Sequence, residues 1–488
     1  MKIMEILEGI PCIQITGNRE EDIRGITHVS GSVGPGFLFA ALKGEKHDGN
    51  AFVPEAVASG ATAILSENPP PSGFDRCWVQ VQDARKSLAL CSANFYTHPS
   101  RRMVVVGITG TKGKTTITYL LEKILQKAGK RPGVIGTISY RGPGWNLSAE
   151  RTTPEAPDLQ RMMKEMHDQG VTHCIMEVSS HALDLERVAG VDFDIAVFTN
   201  LSGEHLDYHP SMEAYFAAKK KLFVDPEKRR VGIINADDPW GQRLVSETAI
   251  LKMTYGFGEG ADVRARTFSL REDGTQAIIQ HPEGEFEVIS PLLGRPNLYN
   301  ILAATACAFR MSLAEDAIRK GIAALQGVPG RFEKVPNSLG LHILVDYAHN
   351  DDALRHLLET VREFRPPRTI LVFGAGGDRD RSKRPRMGEA AGELADYAII
   401  TSDNPRSEDP MAIISEIEAG IKKSARAKYE IIPDRREAIR RALELGRPGD
   451  YILVAGKGHE GTQIIQDKVL PFNDAEVIRE LLEKRDRA

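Results

Sequence analysis

Cysteine is scarce in this chain, five in 488 residues. Cys12, Cys77, Cys91, Cys174 and Cys307 are scattered, and none stands in a C-x-x-C pair. That spacing argues against a disulfide framework and a zinc site, and reads as reduced, packed thiols. Also missing is any apolar run approaching the roughly 18–20 residues that span a bilayer. The opening MKIMEILEGIPCIQ carries Glu5 and Glu8 where a secretory signal needs an uninterrupted apolar stretch. A cytoplasmic location with no membrane contact is therefore expected. Charge of one sign is lacking as well: 63 basic against 67 acidic residues, net −4, gives no global attraction to nucleic acid. Internal repeats and low-complexity segments are absent.

What is present suits a soluble globular protein: 41% hydrophobic residues and a mean hydropathy of −0.28. A chain of 488 residues exceeds one hydrophobic core, so two to four domains are expected. Breaks fall at YTHPSRR (96–102) and GVPGRFEKVPNS (327–338). Between them MVVVGIT, HCIMEVS, DIAVFTN and VGIIN alternate with helical patterns, and beyond them HILVDYAHN, TILVFGAGGD, YAIITSDNPR and YILVAGKGHE do the same. Short apolar runs closed by polar or glycine-bearing turns predict buried parallel strands. The expected fold class is α/β in three domains: a small N-terminal one (1–98), a central P-loop domain (99–329) and a C-terminal Rossmann-like domain (330–488). Each strand of the last domain runs into a polar cluster. In open α/β sheets ligands bind beyond the strands' carboxyl ends, so four such clusters predict one convergent site, although ordinary βα loops are also rich in Gly, Asn and Asp.

GITGTKGKTT (107–116) sits between the strand MVVVGIT and the helix ITYLLEKILQKAGK. Ile117, Leu120, Leu121, Ile124, Leu125 and Ala128 share one helical face, and Gly129 stands at the C-cap. Gly110 and Gly113 allow backbone N–H groups to wrap a phosphate, and the helix N-terminus adds partial positive charge. Lys114 can neutralise β/γ oxygens and the Thr115 hydroxyl can hold Mg²⁺. Thr111, Lys112 and Thr116 complete the ATP-binding run. The usual G-x-x-x-x-G-K-[ST] pattern fails at Ile108, where glycine belongs.

This G-T-x-G-K-T-T form resembles the ATP loop of the Mur ligases, the amide-bond-forming enzymes of cell-wall synthesis; Lys112 stands where that family usually has Asn. The resemblance runs over nearly the whole chain. In MEVSSHALDLERV (176–188) it implies Glu177 as a Mg²⁺ ligand and Ser179 and Arg187 as contacts to a UDP-muramoyl dipeptide. In TNLSGEHLDYH (199–209) it implies His205 at the metal site, with Glu204 replacing the usual Asp. Taken alone, His205 and His209 would read as packed or surface histidines. In MEAYFAAKKKLF (212–223) it implies that Lys219 carries a CO₂-derived carbamate that helps to hold a second Mg²⁺; a lysine run on a helix otherwise reads as a solvated face. Asn297 and Asn300, Arg331 and, in DYAHNDDAL, Asp346 and His349 match positions serving ATP and catalysis. Arg331, at a domain joint, also fits a structural ion pair. Lys114, Lys219, His205 and Asp346 form the expected catalytic set. Ser30 in VSG, where the family reads D-S-R, and Thr152 and Thr153 match nucleotide-sugar contacts.

TSDNPRSEDP (401–410) resembles the D-N-P-R signature of family members that add meso-diaminopimelate. Arg406 can grip a carboxylate bidentately, and Asn404 can both donate and accept. Asp403 and Pro405 flank them, and Arg379, Gly456 and Glu460 match the remaining acceptor contacts. A type I turn would equally explain DNPR in isolation. The run from Asp378 to Met387 is rich in charge, but its acidic pair and the lack of interleaved aromatics weigh against nucleic acid. The implied reaction is ATP-dependent acylation through an acyl phosphate on the D-glutamate of the UDP-muramoyl dipeptide, by a monomer, with closure about Arg331 preceding chemistry. A lysine-adding or folylpolyglutamate-type ligase is the alternative within the class. Outside it stands a P-loop protein using ATP only as a switch.

Overall fold

The computed structural model describes residues 1–44, 47–224, 230–424 and 427–486. The chain forms two compact units, one of Met1–Leu201, His209–Asp262 and Ala303–Ala317, the other of Ser202–Tyr208, Val263–Leu302 and Ile318–Ala488.

The first unit contains two sheets. Near its N-terminus a five-stranded sheet runs in the order Cys12–Thr16, Cys77–Val81, Ala61–Ser66, Phe37–Ala40, Gly25–Thr27. All pairs are parallel except the Cys12–Thr16 edge. Its core includes Ile3, Leu38, Leu65, Val79 and Leu88. The strands expected from MVVVGIT, HCIMEVS, DIAVFTN and VGIIN form as Val104–Thr109, His173–Glu177, Ile195–Phe198 and Val231–Asn235. Val104–Thr109 lies centrally, parallel to both His173–Glu177 and Ile195–Phe198. These strands are rich in Val and Ile and wholly buried apart from Val104, as parallel strands covered on both faces must be. Helix Lys114–Lys127 follows the central strand, with Ile117, Leu120, Leu121, Ile124 and Leu125 inaccessible to solvent. Its C-cap is Ala128, and Gly129 next to it takes φ +71°.

The second unit holds the antiparallel strands Val263–Arg271, Gly274–His281 and Gly284–Ser290 and a six-stranded sheet. The order there is Glu333–Val335, His342–Asp346, Tyr451–Ala455, Thr369–Phe373, Tyr397–Ile400, Lys428–Ile431. Only the first pairing is antiparallel. The last parallel strand in sequence, Tyr451–Ala455, returns to lie between the two earliest, so the order reverses at this point. Such a reversal opens a crevice beyond the strands' carboxyl ends. Apolar residues pack both faces, with Leu344, Leu371, Phe373 and Leu453 on one and Ile343, Ile370, Val372 and Ile452 on the other. Helix Arg435–Leu445 is tied to helix Asp474–Asp486 by a fully buried bidentate pair, Arg435 to Asp474 at 2.8 and 2.7 Å.

The five cysteines are unpaired, and all but Cys12 are buried. Burial pushes the Cys77 thiol up to about 11 and those of Cys91, Cys174 and Cys307 upward too. They are packed thiols, as their spacing suggested. Among the described residues no helix is long and apolar enough to cross a membrane.

Candidate active site

In the first unit the loop after Val104–Thr109 turns sharply through Gly110 (φ +138°) and Gly113 (φ +92°) before entering the helix at Lys114. A Cβ on Gly110 would lie 1.9 Å from Thr199 Oγ1, so the close approach requires glycine. The neighbouring strand end steadies the loop. The Thr199 hydroxyl donates to the Lys112 carbonyl at 2.7 Å, the Lys112 amide donates to Asn200 Oδ1 at 3.0 Å, and the Thr111 amide donates to the Asn200 carbonyl at 2.8 Å. Lys114 Nζ arches back over the turn, donating to the carbonyls of Gly110 (2.9 Å) and Thr111 (2.8 Å). Lys219, buried on helix Met212–Lys220, donates to the same Gly110 carbonyl at 2.9 Å and lies 4.4 Å above the Tyr215 ring. Two lysines from distant sequence thus converge on one glycine carbonyl. Thr116 is buried one position beyond Thr115 in the first helical turn.

Glu177, at the end of its strand and 1% exposed, ties this loop to the residues expected to meet the sugar dipeptide. Its Oε2 accepts from the Thr115 hydroxyl at 3.0 Å and the Thr137 hydroxyl at 2.9 Å, and its Oε1 accepts from the Thr137 amide at 2.8 Å. Thr137 Oγ1 lies 3.1 Å from Thr152 Oγ1. Thr153 Oγ1 donates to the Glu177 carbonyl (2.8 Å) and accepts from the Ser179 amide (3.1 Å). Arg187 donates to the Thr153 carbonyl at 3.2 Å and pairs with Glu155 at 2.8 Å. Thr115, Glu177, Thr152, Thr153, Ser179 and Arg187 therefore form one connected network. Ser30 opens the turn Ser30–Ser32. The preceding His28 lies within electrostatic reach of Glu155, Asp158, Arg85 and Arg151, and burial holds its pKa below the ordinary value.

Sequence reasoning missed Thr137, Asn200 and Glu155. Asn200 lay inside a quoted motif and Thr137 followed a glycine turn; Glu155 carried no local signal. His205 takes φ +59° in Ser202–Tyr208, a segment of the second unit, whereas Thr115, Glu177 and Lys219 belong to the first. Among the described residues no three His, Cys, Asp or Glu side chains gather as a ready metal site.

In the second unit the four polar clusters do meet. The Gly456 amide donates to the Asp346 carbonyl at 3.1 Å, and the Gly377 amide to the Asn404 carbonyl at 2.9 Å. Gly456 has φ +117°, and a Cβ there would stand 2.5 Å from Asp403 Oδ2. Asn404 Nδ2 donates to Glu460 Oε2 at 2.7 Å. Arg406 (φ +53°) donates to the Gly377 carbonyl at 2.6 Å. A Cβ on Gly376 would touch both Arg406 Nη1 (3.0 Å) and Arg379 Cγ (3.9 Å), so the two arginines flank one glycine. Pro405 directs its carbonyl against Gly377, where a Cβ would lie 1.9 Å away. Arg384 is fully buried and bridges Glu408 and Glu416 beneath this turn. Through this side chain the charged run braces the turn.

Asp346 fixes the chain around it, accepting from the Phe332 amide (2.7 Å) and the Ala348 amide (2.9 Å). The Arg331 guanidinium stacks on Tyr347 at 4.6 Å, rather than forming the ion pair that a domain joint suggested. Tyr347 in turn packs on His349 and His459. Burial raises the Tyr347 hydroxyl to about 12, and burial together with Arg331 lowers His459 to about 4. His349 lies 3.9 Å from Glu204, the residue standing where Asp was expected. Asn297 and Asn300 are buried on helix Arg295–Arg310, linked at 3.1 Å, with Asn297 also donating to the Leu293 carbonyl.

The chain matches family models for the Mur ligase family catalytic domain (residues 22–96), the Mur ligase middle domain (108–308) and the Mur ligase glutamate ligase domain (330–458). It is 42% identical over 484 residues, 99% of each chain, to a protein of Syntrophomonas wolfei named UDP-N-acetylmuramoyl-L-alanyl-D-glutamate–2,6-diaminopimelate ligase. A protein of Solibacter usitatus with that name is 44% identical over 465 residues, 95% of this chain and 94% of the relative. Among solved structures, one of a ligase of the same name superposes with a TM-score of 0.73 at 32% identity, covering both chains completely. Thermotoga maritima MurF ligase in complex with ADP gives 0.65 at 23% identity over 95% and 99% of the two chains, a likeness of fold. With the phosphate loop, the threonine–glutamate network and the four-strand cluster in place, these matches show that the chain belongs to the Mur ligase family.

Proposed function

We propose that the chain is the ATP-dependent ligase that joins meso-2,6-diaminopimelate to the D-glutamate of UDP-N-acetylmuramoyl-L-alanyl-D-glutamate in peptidoglycan precursor synthesis. The observation that carries this reading is the convergence of Arg379, Asn404, Arg406 and Glu460 beyond the adjacent strands of the second unit. Two guanidinium groups and a carboxylate suit an acceptor whose far end bears both a carboxylate and an ammonium. Relatives alike over nearly their whole length carry the same activity in their names. The three-domain division goes with it: 1–98 for the nucleotide sugar, 99–329 for ATP and 330–488 for the acceptor.

Lys114 and the loop amides from Gly110 to Thr116 hold the triphosphate. Asn297, Asn300, Arg331 and His349, all in the second unit, match nucleotide-contact positions of the family, and Asp346 keeps Phe332, next to Arg331, in place. Thr152, Thr153, Ser179, Arg187 and Ser30 hold the sugar dipeptide, with its γ-carboxylate directed to the γ-phosphate. Phosphoryl transfer to that carboxylate gives an acyl phosphate and ADP. Attack by the acceptor amine gives a tetrahedral intermediate that collapses to the amide and phosphate. A free carboxylate does not acylate an amine in water, so the ATP step is what makes the bond accessible. Thr115 and Glu177 are adjacent hard oxygen donors that would hold Mg²⁺, and a CO₂-derived carbamate on Lys219 would add a further oxygen ligand within the same unit; His205, in the second unit, matches a metal-site position of the family. Mg²⁺ held there would neutralise phosphate charge. The enzyme works as a cytoplasmic monomer on small molecules alone.

The test is ATP consumption with the UDP-muramoyl dipeptide and either meso-diaminopimelate or L-lysine. Turnover that needs both the dipeptide and diaminopimelate supports the reading. A preference for lysine, or ATP hydrolysis indifferent to any amino acid, overturns it.

A further inference from the structure

Lys457 follows the strand Tyr451–Ala455 and is completely buried, with a side-chain exposure of 0%. All three of its ammonium protons have acceptors: Asn404 Oδ1 at 3.1 Å, Glu460 Oε2 at 3.1 Å and the Thr462 carbonyl at 2.6 Å. Desolvating an ammonium is costly unless its charge is balanced and its protons are bonded. Glu460 supplies the balance here.

The consequence for Asn404 is specific. A side-chain amide can present either its oxygen or its nitrogen, and the two orientations have nearly the same shape. Here one side of the amide faces only donors, the Lys457 ammonium and the Ile464 amide at 3.0 Å. The other side faces the Glu460 carboxylate at 2.7 Å, which only accepts when ionised. A flipped amide would set N–H groups against an ammonium and an N–H, and its oxygen against a carboxylate. The orientation is thus fixed by its neighbours. Asn404 Oδ1 is saturated by two donors, which leaves Asn404 a pure donor with one amide proton uncommitted. Glu460 Oε2 is likewise engaged twice. Its Oε1 has no partner among the described residues, and the side chain is 31% exposed.

We propose that Lys457 is a positioning residue for acceptor specificity, locking Asn404 as a donor toward the acceptor's distal carboxylate and holding Glu460 with one oxygen turned to its distal ammonium. This rests on the acceptor reading above and extends it to a residue that touches no substrate. Without Lys457 the Asn404 oxygen keeps only the Ile464 amide, and Glu460 loses the counter-charge that holds it against Asn404 Nδ2. The amide is then held less firmly in its donor orientation and more often presents its oxygen, which receives an ammonium. Discrimination between an acceptor with both groups and one with the ammonium alone then falls.

The experiment compares the wild type with Lys457→Met, which keeps the unbranched stem, one atom shorter, and removes the charge and protons. ATP consumption is followed with the UDP-muramoyl dipeptide and varied meso-diaminopimelate or L-lysine. The loss of a charge-assisted hydrogen bond predicts a KM for meso-diaminopimelate raised about tenfold or more, with kcat at saturation changed by less than about threefold. The ratio of kcat/KM for meso-diaminopimelate over L-lysine falls by a similar factor. A purely structural lysine would lower both acceptors alike and leave the ratio where it was, and that result overturns the proposal. If Lys457→Met shows no cooperative melt, Asn404→Asp decides: the carboxylate remains an acceptor for Lys457 but cannot donate. Expected is the same loss of meso-diaminopimelate binding and of the ratio; an unchanged KM there overturns the proposal. A wild type that prefers L-lysine instead overturns the acceptor reading itself, and this inference with it.

Discussion

At the scale of single residues, polar side chains in this protein owe their roles to partners far away in sequence. His459 is an example. Its imidazole is buried against Tyr347 with the Arg331 charge nearby, and both effects disfavour protonation, lowering its pKa from 6.5 to about 4. The folded state therefore binds fewer protons than the unfolded state between those values. The stability present above pH 6.5 is lost as the pH falls toward 4, by up to about 3 kcal/mol at about 1.4 kcal/mol per pKa unit. Denaturant midpoints of wild type and His459→Gln, followed from pH 7 to 4.5, should converge as the wild type loses this margin. An equal acid loss in both proteins would remove His459 from the account.

Residue scale is also where sequence reading met its limit. Gly110, Lys114 and Thr115 were legible because loop, strand and helix are contiguous and each residue's chemistry is local. Glu177 and Lys219 entered the reading only through a family resemblance, since a carboxylate after a strand and a lysine in a run of three look ordinary. Thr137 was invisible: its partner Glu177 lies forty positions on. For Asn404 the sequence allowed both donor and acceptor, and the choice is removed by Lys457 from 53 residues away together with the Ile464 amide and the Glu460 carboxylate. Periodicity records which face a residue occupies, not which polar atom meets it.

At the scale of elements, function depends on turns held at fixed heights above strands. The Gly110 turn is one. Gly110→Ala places a methyl group 1.9 Å from Thr199 Oγ1 at a φ of +138°, so the loop must leave the strand end that braces it. ADP affinity, measured calorimetrically, should fall at least about tenfold, while the circular dichroism spectrum stays that of a folded protein. Retained affinity would show that the loop relaxes at no cost. A second element-level device is the Arg435–Asp474 pair joining two helices, whose arginine also donates to the Ala455 carbonyl at 3.0 Å, just ahead of Gly456. Removing one member of a buried pair strands the other charge. Asp474→Ala should therefore lower the unfolding free energy by about 3–5 kcal/mol in urea titration. The strands themselves were readable from short runs of Val and Ile. Their order was not, because the insertion of Tyr451–Ala455 between earlier strands is a matter of long-range pairing.

For the whole molecule, the side-chain networks described above fall in different compact units. The phosphate loop and the threonine–glutamate network belong to one compact unit, and the Arg379–Asn404–Arg406–Glu460 cluster belongs to the other. Substitutions far apart with no shared partner act independently. Arg406→Ala should thus raise the KM for meso-diaminopimelate by about tenfold to a hundredfold, as the loss of a charge-assisted contact requires, and leave the dissociation constant of ADP within about twofold. A parallel loss of ADP binding would show instead that Arg406 supports the fold at large.

The tight glycine turns of the second unit carry a further implication. At Gly377 and Gly456 any side chain would collide with Pro405 or Asp403 at 1.9 and 2.5 Å, so the path of these loops cannot be redrawn by a single substitution there. An antibacterial compound anchored to their backbone amides and carbonyls would face a surface on which resistance mutations carry the burden of a misfolded pocket.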